Sequence, residues 1–204
     1  MTAPAAIVNQ SKLSMISAAV VLAGEKSLNS LTDQRYAATV GAALFDMIYE
    51  NELQSNRWRF ACKKTQLSQL TSTPLNEFQY CFQLPSDCLL PIGFYGIGPD
   101  RSYEMYGNVL YTNVKSGPGP AGAGASVLIF EHMFKPDPGT LPAYFTFLVT
   151  LALAQMMIKP LTESDTAKSA LRTDYTIQRG RAMFADAQGR PNRPLQHQPF
   201  TQVR

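Results

Sequence analysis

The chain is poor in the residues that usually carry chemistry. It has 204 residues, two histidines, three cysteines, one tryptophan and only 16% charged residues. With His132 and His197 alone, and no Cys/His pair at zinc-finger spacing, the pattern gives no zinc site. Cys62, Cys81 and Cys88 are odd in number and contain no CxxC, which fits small buried thiols in a reducing compartment rather than a disulfide framework. There is no GxSxG elbow for a hydrolase serine. The start, MTAPAAIVNQ, lacks a basic region followed by an apolar run, so no secretion signal is expected. The most apolar stretch, AYFTFLVTLALAQMMI (143–158), is 16 residues long and carries two threonines and a glutamine. A membrane span needs about 20 apolar residues, so a buried core helix is expected.

The residues present in quantity are apolar, at 45%. That suffices for a folded core and excludes a disordered chain. The net charge of +3 is unevenly spread. Residues 57–72 hold Arg57, Arg59, Lys63 and Lys64 with no acid, and 161–204 hold seven basic against four acidic residues. A protein that binds nucleic acid over its whole surface would be more basic.

Helical spacing predicts a helix over 9–23, with Asn9 as cap, Leu13, Ile16 and Val20 as stripe and Gly24 as stop. A second is predicted from Asp33 to about Ser55, with Tyr36, Val40, Leu44, Met47 and Ile48 facing inward. Short alternating runs then predict strands. In SNRWRFACKK, strand alternation would turn Trp58, Phe60 and Cys62 to a core and Arg57, Arg59 and Lys63 to the other face. FQYCFQL (78–84) would bury Phe82 and Leu84. YEMYGNVLY (103–111) reads as a hairpin turning at Gly107-Asn108, and SVLIFEHMF (126–134) as a strand. Helices resume over 142–158, break at Pro160, and restart from a Thr162 or Ser164 cap to about Gln188. The second of these has the stripe Ala167, Leu171, Tyr175, Gln178, Ala182 and Ala185.

The expected class is α+β. N- and C-terminal helix pairs form a helical bundle (1–56 and 139–188), with a small antiparallel β domain inserted (57–138). A Gly/Pro-rich loop (115–125) lies in the insertion, and 189–204 form an extended basic tail.

Few constellations point to catalysis. Glu50 and Glu52 lie two apart on a helix and diverge, and Glu163 and Asp165 sit where a helix N-terminus favours acids. Neither pair faces across a cleft as glycoside hydrolysis requires. GPGPAGAG lacks the GK[ST] of a phosphate loop and precedes a strand rather than a helix. No cofactor is expected.

Several segments in one order resemble a known family. They are SNRWRFACKK, FQYCFQLPSDCLLPI, YEMYGNVLYTN, and the run from FKPDPGTLPAYF through LAQMMIKPLTESD to MFADAQ. Together they are similar to the podovirus head-to-tail adaptors known as tail tubular protein A, over most of residues 9–188. The resemblance implies a structural virion protein and not an enzyme. It implies a dodecameric ring beneath the portal protein, carrying the tail nozzle protein and helping to anchor tail fibres. DNA would pass through the lumen without sequence-specific binding, and no membrane would be involved. Assembly would take place in the host bacterial cytoplasm. Within that frame Arg190, Arg193, Phe200 and Arg204 are candidates for portal contact. Arg57, Arg59 and Lys63 are candidates for the DNA channel or for contact with a neighbour's acids, such as Glu50 or Glu52. The alternative is a virion peptidoglycan hydrolase.

Overall fold

A computed structural model describes residues 11–72, 74, 77–95, 103–113, 117–118, 126–162 and 164–189. Four helices, α1 (Lys12–Leu22), α2 (Tyr36–Gln54), α3 (Ala143–Thr162) and α4 (Asp165–Gln188), flank seven strands. These are β1 (Cys62–Gln69), β2 (Tyr80–Gln83), β3 (Leu90–Tyr95), β4 (Tyr103–Tyr106), β5 (Val109–Thr112), β6 (Gly117–Pro118) and β7 (Ser126–Met133).

The α1 helix is capped by Ser11, whose side chain accepts from the Ser14 N–H, so the cap is Ser11 and not Asn9. Gly24, at φ +93°, leaves the helix in a backbone conformation that suits glycine. Asp33 does not cap α2. Its carboxylate takes the backbone N–H and Nε of Arg35 instead, and Arg35 occupies the cap position. The buried face of α2 is Ala37, Ala38, Gly41, Phe45, Ile48, Tyr49, Glu52 and Leu53. This lies about one residue round from the expected stripe, and Tyr36 and Met47 are exposed at 63% and 61%. Close packing explains the rotation. A Cβ at Gly41 would stand 2.5 Å from Ile16 and 3.3 Å from Met157, so the smallest residues must face inward for α2 to reach α1 and α3.

The α3 helix is the central element. It is apolar and long enough to cross a membrane by length and composition, but it packs on α1, α2 and α4 and most of it is buried. It does not break at Pro160. That residue lies in the last turn on the exposed side, where one missing hydrogen bond costs little, and the helix ends two residues later. Ser164 caps α4 through the Ala167 N–H.

The expected helical bundle with a small inserted β domain is not what forms. Four helices accompany a six-stranded antiparallel sheet, curled as a half-barrel, in the order β3-β7-β1-β2-β5-β4, with two-residue β6 pairing the start of β7. The reason lies in β7, which is buried on both faces. Leu128, Phe130 and His132 turn into the curl, where Leu67, Phe82, Leu84 and Leu110 form a core. Met133 faces the helices and joins Trp58 and Ala61 in their core. The sheet is therefore too large to be a small insertion, and it shares packed surface with the helices. The hairpin forms as expected, with Tyr106 opposite Val109 and Gly107 at φ +60°.

Candidate functional site

SNRWRFACKK is the junction between helices and sheet. It is not a continuous strand. Arg59–Ala61 make a single 3-10 turn and β1 starts only at Cys62. Trp58 is fully buried, and its indole N–H donates to the Glu52 carbonyl at 2.8 Å, one of the unpaired carbonyls at the end of α2. Its ring meets Phe145 edge-on at 5.0 Å between centroids. Phe60 packs partly buried against the same core, 4.8 Å from Phe145. Phe82 and Leu84 are buried in the curl of the sheet, as their alternation predicts.

The turn separates the three basic residues expected on one face. Arg57 donates to Glu131 of β7. Lys63 pairs with Asp87 and lies over the Phe134 ring, 4.9 Å from its centroid. Arg59 is turned toward the end of α4, where its backbone N–H donates to the Asp186 carboxylate at 3.1 and 3.2 Å. The acids proposed as a neighbour's partners are engaged within the chain: Glu50 with Lys135 at 2.7 Å, and Glu52 with the Tyr175 hydroxyl at 2.9 Å. Arg190, Arg193, Phe200 and Arg204 lie outside the described residues, as does most of the 115–125 loop.

Two buried carboxylates hold α4 against the rest. Asp186, 7% exposed, accepts from Arg59 N–H and from the Tyr144 hydroxyl at 2.9 Å. Glu52, 3% exposed, accepts from Tyr175, while its second oxygen has no hydrogen-bond partner. Burial raises the Glu52 carboxyl above its ordinary range, opposed by the Tyr175 hydrogen bond and by Arg179. Burial, then the bond to Glu52, pushes the Tyr175 hydroxyl up to about 12. From sequence, Glu52 is singled out only as half of a carboxylate pair or as a neighbour's partner, and Asp186 is not singled out, although a signal is present. Each acid sits in the last turn of its helix, where the macrodipole disfavours negative charge, so a tertiary partner is the physical explanation.

His132 is fully enclosed. Its ring stacks on Phe130 at 5.6 Å, and Nε2 lies 3.6 Å from Asp87. Burial lowers its basicity, and Asp87 opposes that. Among the described residues, no group of three or more His, Cys, Asp or Glu side chains is gathered as a metal ion would need.

The helices leave apolar side chains outside. Val21 and Leu22 of α1, Phe147 and Met156 of α3, and Ile177, Met183 and Phe184 of α4 are each between 41% and 66% exposed. Tyr36 and Met47 of α2 are exposed as well, and while single exposed apolar residues are ordinary, so many on the outer faces of the helices mark surface for contact.

No protein-family model and no curated protein matches the chain.

Proposed function

We propose that this chain is a structural subunit of a tailed-phage virion, an adaptor that joins copies of itself into a ring between portal and tail nozzle. The observation that carries the reading is the exposed apolar surface on α1, α3 and α4, which suits a subunit that is covered by neighbours. The ordered resemblance of SNRWRFACKK, FQYCFQLPSDCLLPI and the α3–α4 segment to head-to-tail adaptors supports the same reading. The deep burial of Glu52, which raises its carboxyl above the ordinary range, argues against its use as a hydrolytic acid on a polymeric substrate. In this reading Arg57, Arg59 and Lys63 edge the DNA channel or a subunit boundary, and residues 190–204 reach the portal.

The test is co-sedimentation of the purified chain with portal rings of the phage that encodes it. The full chain should pellet with the rings, and a chain ending at 189 should stay soluble, folded and unbound. Failure of the full chain to bind, together with a clearing band on a peptidoglycan zymogram, would replace the adaptor with a hydrolase.

A further inference from the structure

The outer face of α4 is unusual for a solvated helix. Residues 166, 169, 170, 173, 176, 177, 180, 184 and 187 share the face away from α3, and all are exposed. None carries a charge, although Asp165, Arg172, Asp174 and Arg181 flank the stripe. Three of its four hydroxyls donate to the helix backbone. Ser169 bonds the Thr166 carbonyl, Thr173 that of Ser169, and Thr176 that of Arg172. These three hydroxyls therefore have their donor bonds made without water. Ile177 and Phe184 rise from the stripe as two knobs, 49% and 66% exposed.

A groove of about 600 Å³ between α1 and α3 has the same character. Its walls include Val21, Leu22 and Phe147, with Ala18 between them and no charged residue. Its four hydroxyls are bonded inside the chain: Ser14 to Ser11 O, Ser17 to Leu28 O, Thr146 to Pro142 O and Thr150 to Thr146 O. A surface whose polar groups are already paired loses little when water is removed from it.

The stripe points away from α3 and the groove is cut into the α1–α3 side, so one copy cannot fill its own groove. We infer that the α4 stripe of one copy docks into the α1–α3 groove of the next, through Ile177 and Phe184. The two patches differ, so the contact is head-to-tail and propagates. The inference rests on the subunit reading above and names the surfaces that would carry it. A helix of 24 residues is about 36 Å long and roughly 10 Å wide, so the stripe offers on the order of 350 Å² per side. A stable pair usually buries about 800 Å² per partner. The free chain should therefore be a monomer when dilute, and the contact should close only when copies are concentrated or held on a template.

Disulfide trapping tests this. Ala18→Cys marks the groove, and Thr173→Cys and Ala187→Cys mark the stripe; the unaltered chain, with its native thiols, sets the background. Mixing the groove reporter with a stripe reporter at high concentration under mild oxidation should give at least about five times more dimer than either alone, for one of the two stripe positions. Phe184→Glu in the stripe partner should remove that excess while leaving the melting curve in place. A stripe–stripe product exceeding the mixed one would overturn the inference in favour of two-fold pairing. So would no product above background, with or without portal rings. Protection of the thiol introduced at position 173 or 187 from alkylation in the dilute monomer would overturn it too, because residues 190–204 of the same chain would then cover the stripe. Mixed cross-links without binding to portal rings would leave the docking intact and remove the adaptor; binding without cross-links would do the reverse.

Discussion

Replacing Asp186 tests how α4 is held. Its carboxylate takes the Arg59 N–H at 3.1 and 3.2 Å and the Tyr144 hydroxyl at 2.9 Å while only 7% exposed. Asp186→Ala leaves both donors without a partner. An unsatisfied buried donor costs about 1–3 kcal/mol, and hydrogen bonds to a charged group are the stronger kind. The side chain also sits in the last turn of α4, where removing negative charge returns about 0.5 kcal/mol. The net loss should be about 3 kcal/mol, or roughly 6–12 °C in Tm for a chain of this size. Asp186→Asn keeps an acceptor for both donors and loses the charge, so it should cost about 1 kcal/mol. Tyr144→Phe should cost about 1–2 kcal/mol, and the double variant Asp186→Ala/Tyr144→Phe should fall short of the sum by about 1 kcal/mol, because both substitutions remove one bond. Urea unfolding, followed through the lone Trp58, measures all four. A loss below about 0.5 kcal/mol for Asp186→Ala, or strict additivity, would show that these contacts do not fasten the helix.

Other predictions follow from the same packing. Gly41→Ala should destabilise by about 1–2 kcal/mol, since its Cβ meets Ile16 at 2.5 Å and overpacking outweighs the gain in helix propensity. Gly180→Ala meets nothing within 4 Å and should stabilise the monomer by about 0.5–1 kcal/mol; thermal melts of the pair should move in opposite directions. Glu52 has a folded pKa raised above 4.5, so its contribution is fully present below that value and is lost as pH rises through the folded pKa. Glu52→Gln should therefore gain stability relative to the parent as pH rises from about 4 to about 8, and a difference independent of pH would contradict the burial argument.

Local signals were legible where one physical rule decides. Gly107-Asn108 fixes the hairpin, strict alternation buries Phe82 and Leu84, and of the two caps offered for α4, Thr162 and Ser164, Ser164 forms while Thr162 closes α3 with its hydroxyl on the Ile158 carbonyl. The inward face of α2 departs from its apolar pattern because tertiary closeness, set by Gly41, outranks side-chain hydrophobicity. The basic segment departs from strand alternation because Arg59–Ala61 turn to seat Trp58 under α2, which splits Arg57, Arg59 and Lys63 among three partners. The extent of the sheet was not legible because strand order is non-local. Nothing in SVLIFEHM announces that β7 will lie between β1 and β3 and be buried on both faces. Candidate site residues beyond 189 and most of the 115–125 loop fall outside the described residues.

The central claim is that the chain is a subunit built to be covered by its neighbours beneath a portal. Negative-stain microscopy of portal rings, alone and after incubation with the purified chain, tests it most directly. A second layer should appear on one face of the rings and be absent when Phe184→Glu is used. Bare portal rings at saturating concentrations of a folded chain would contradict it.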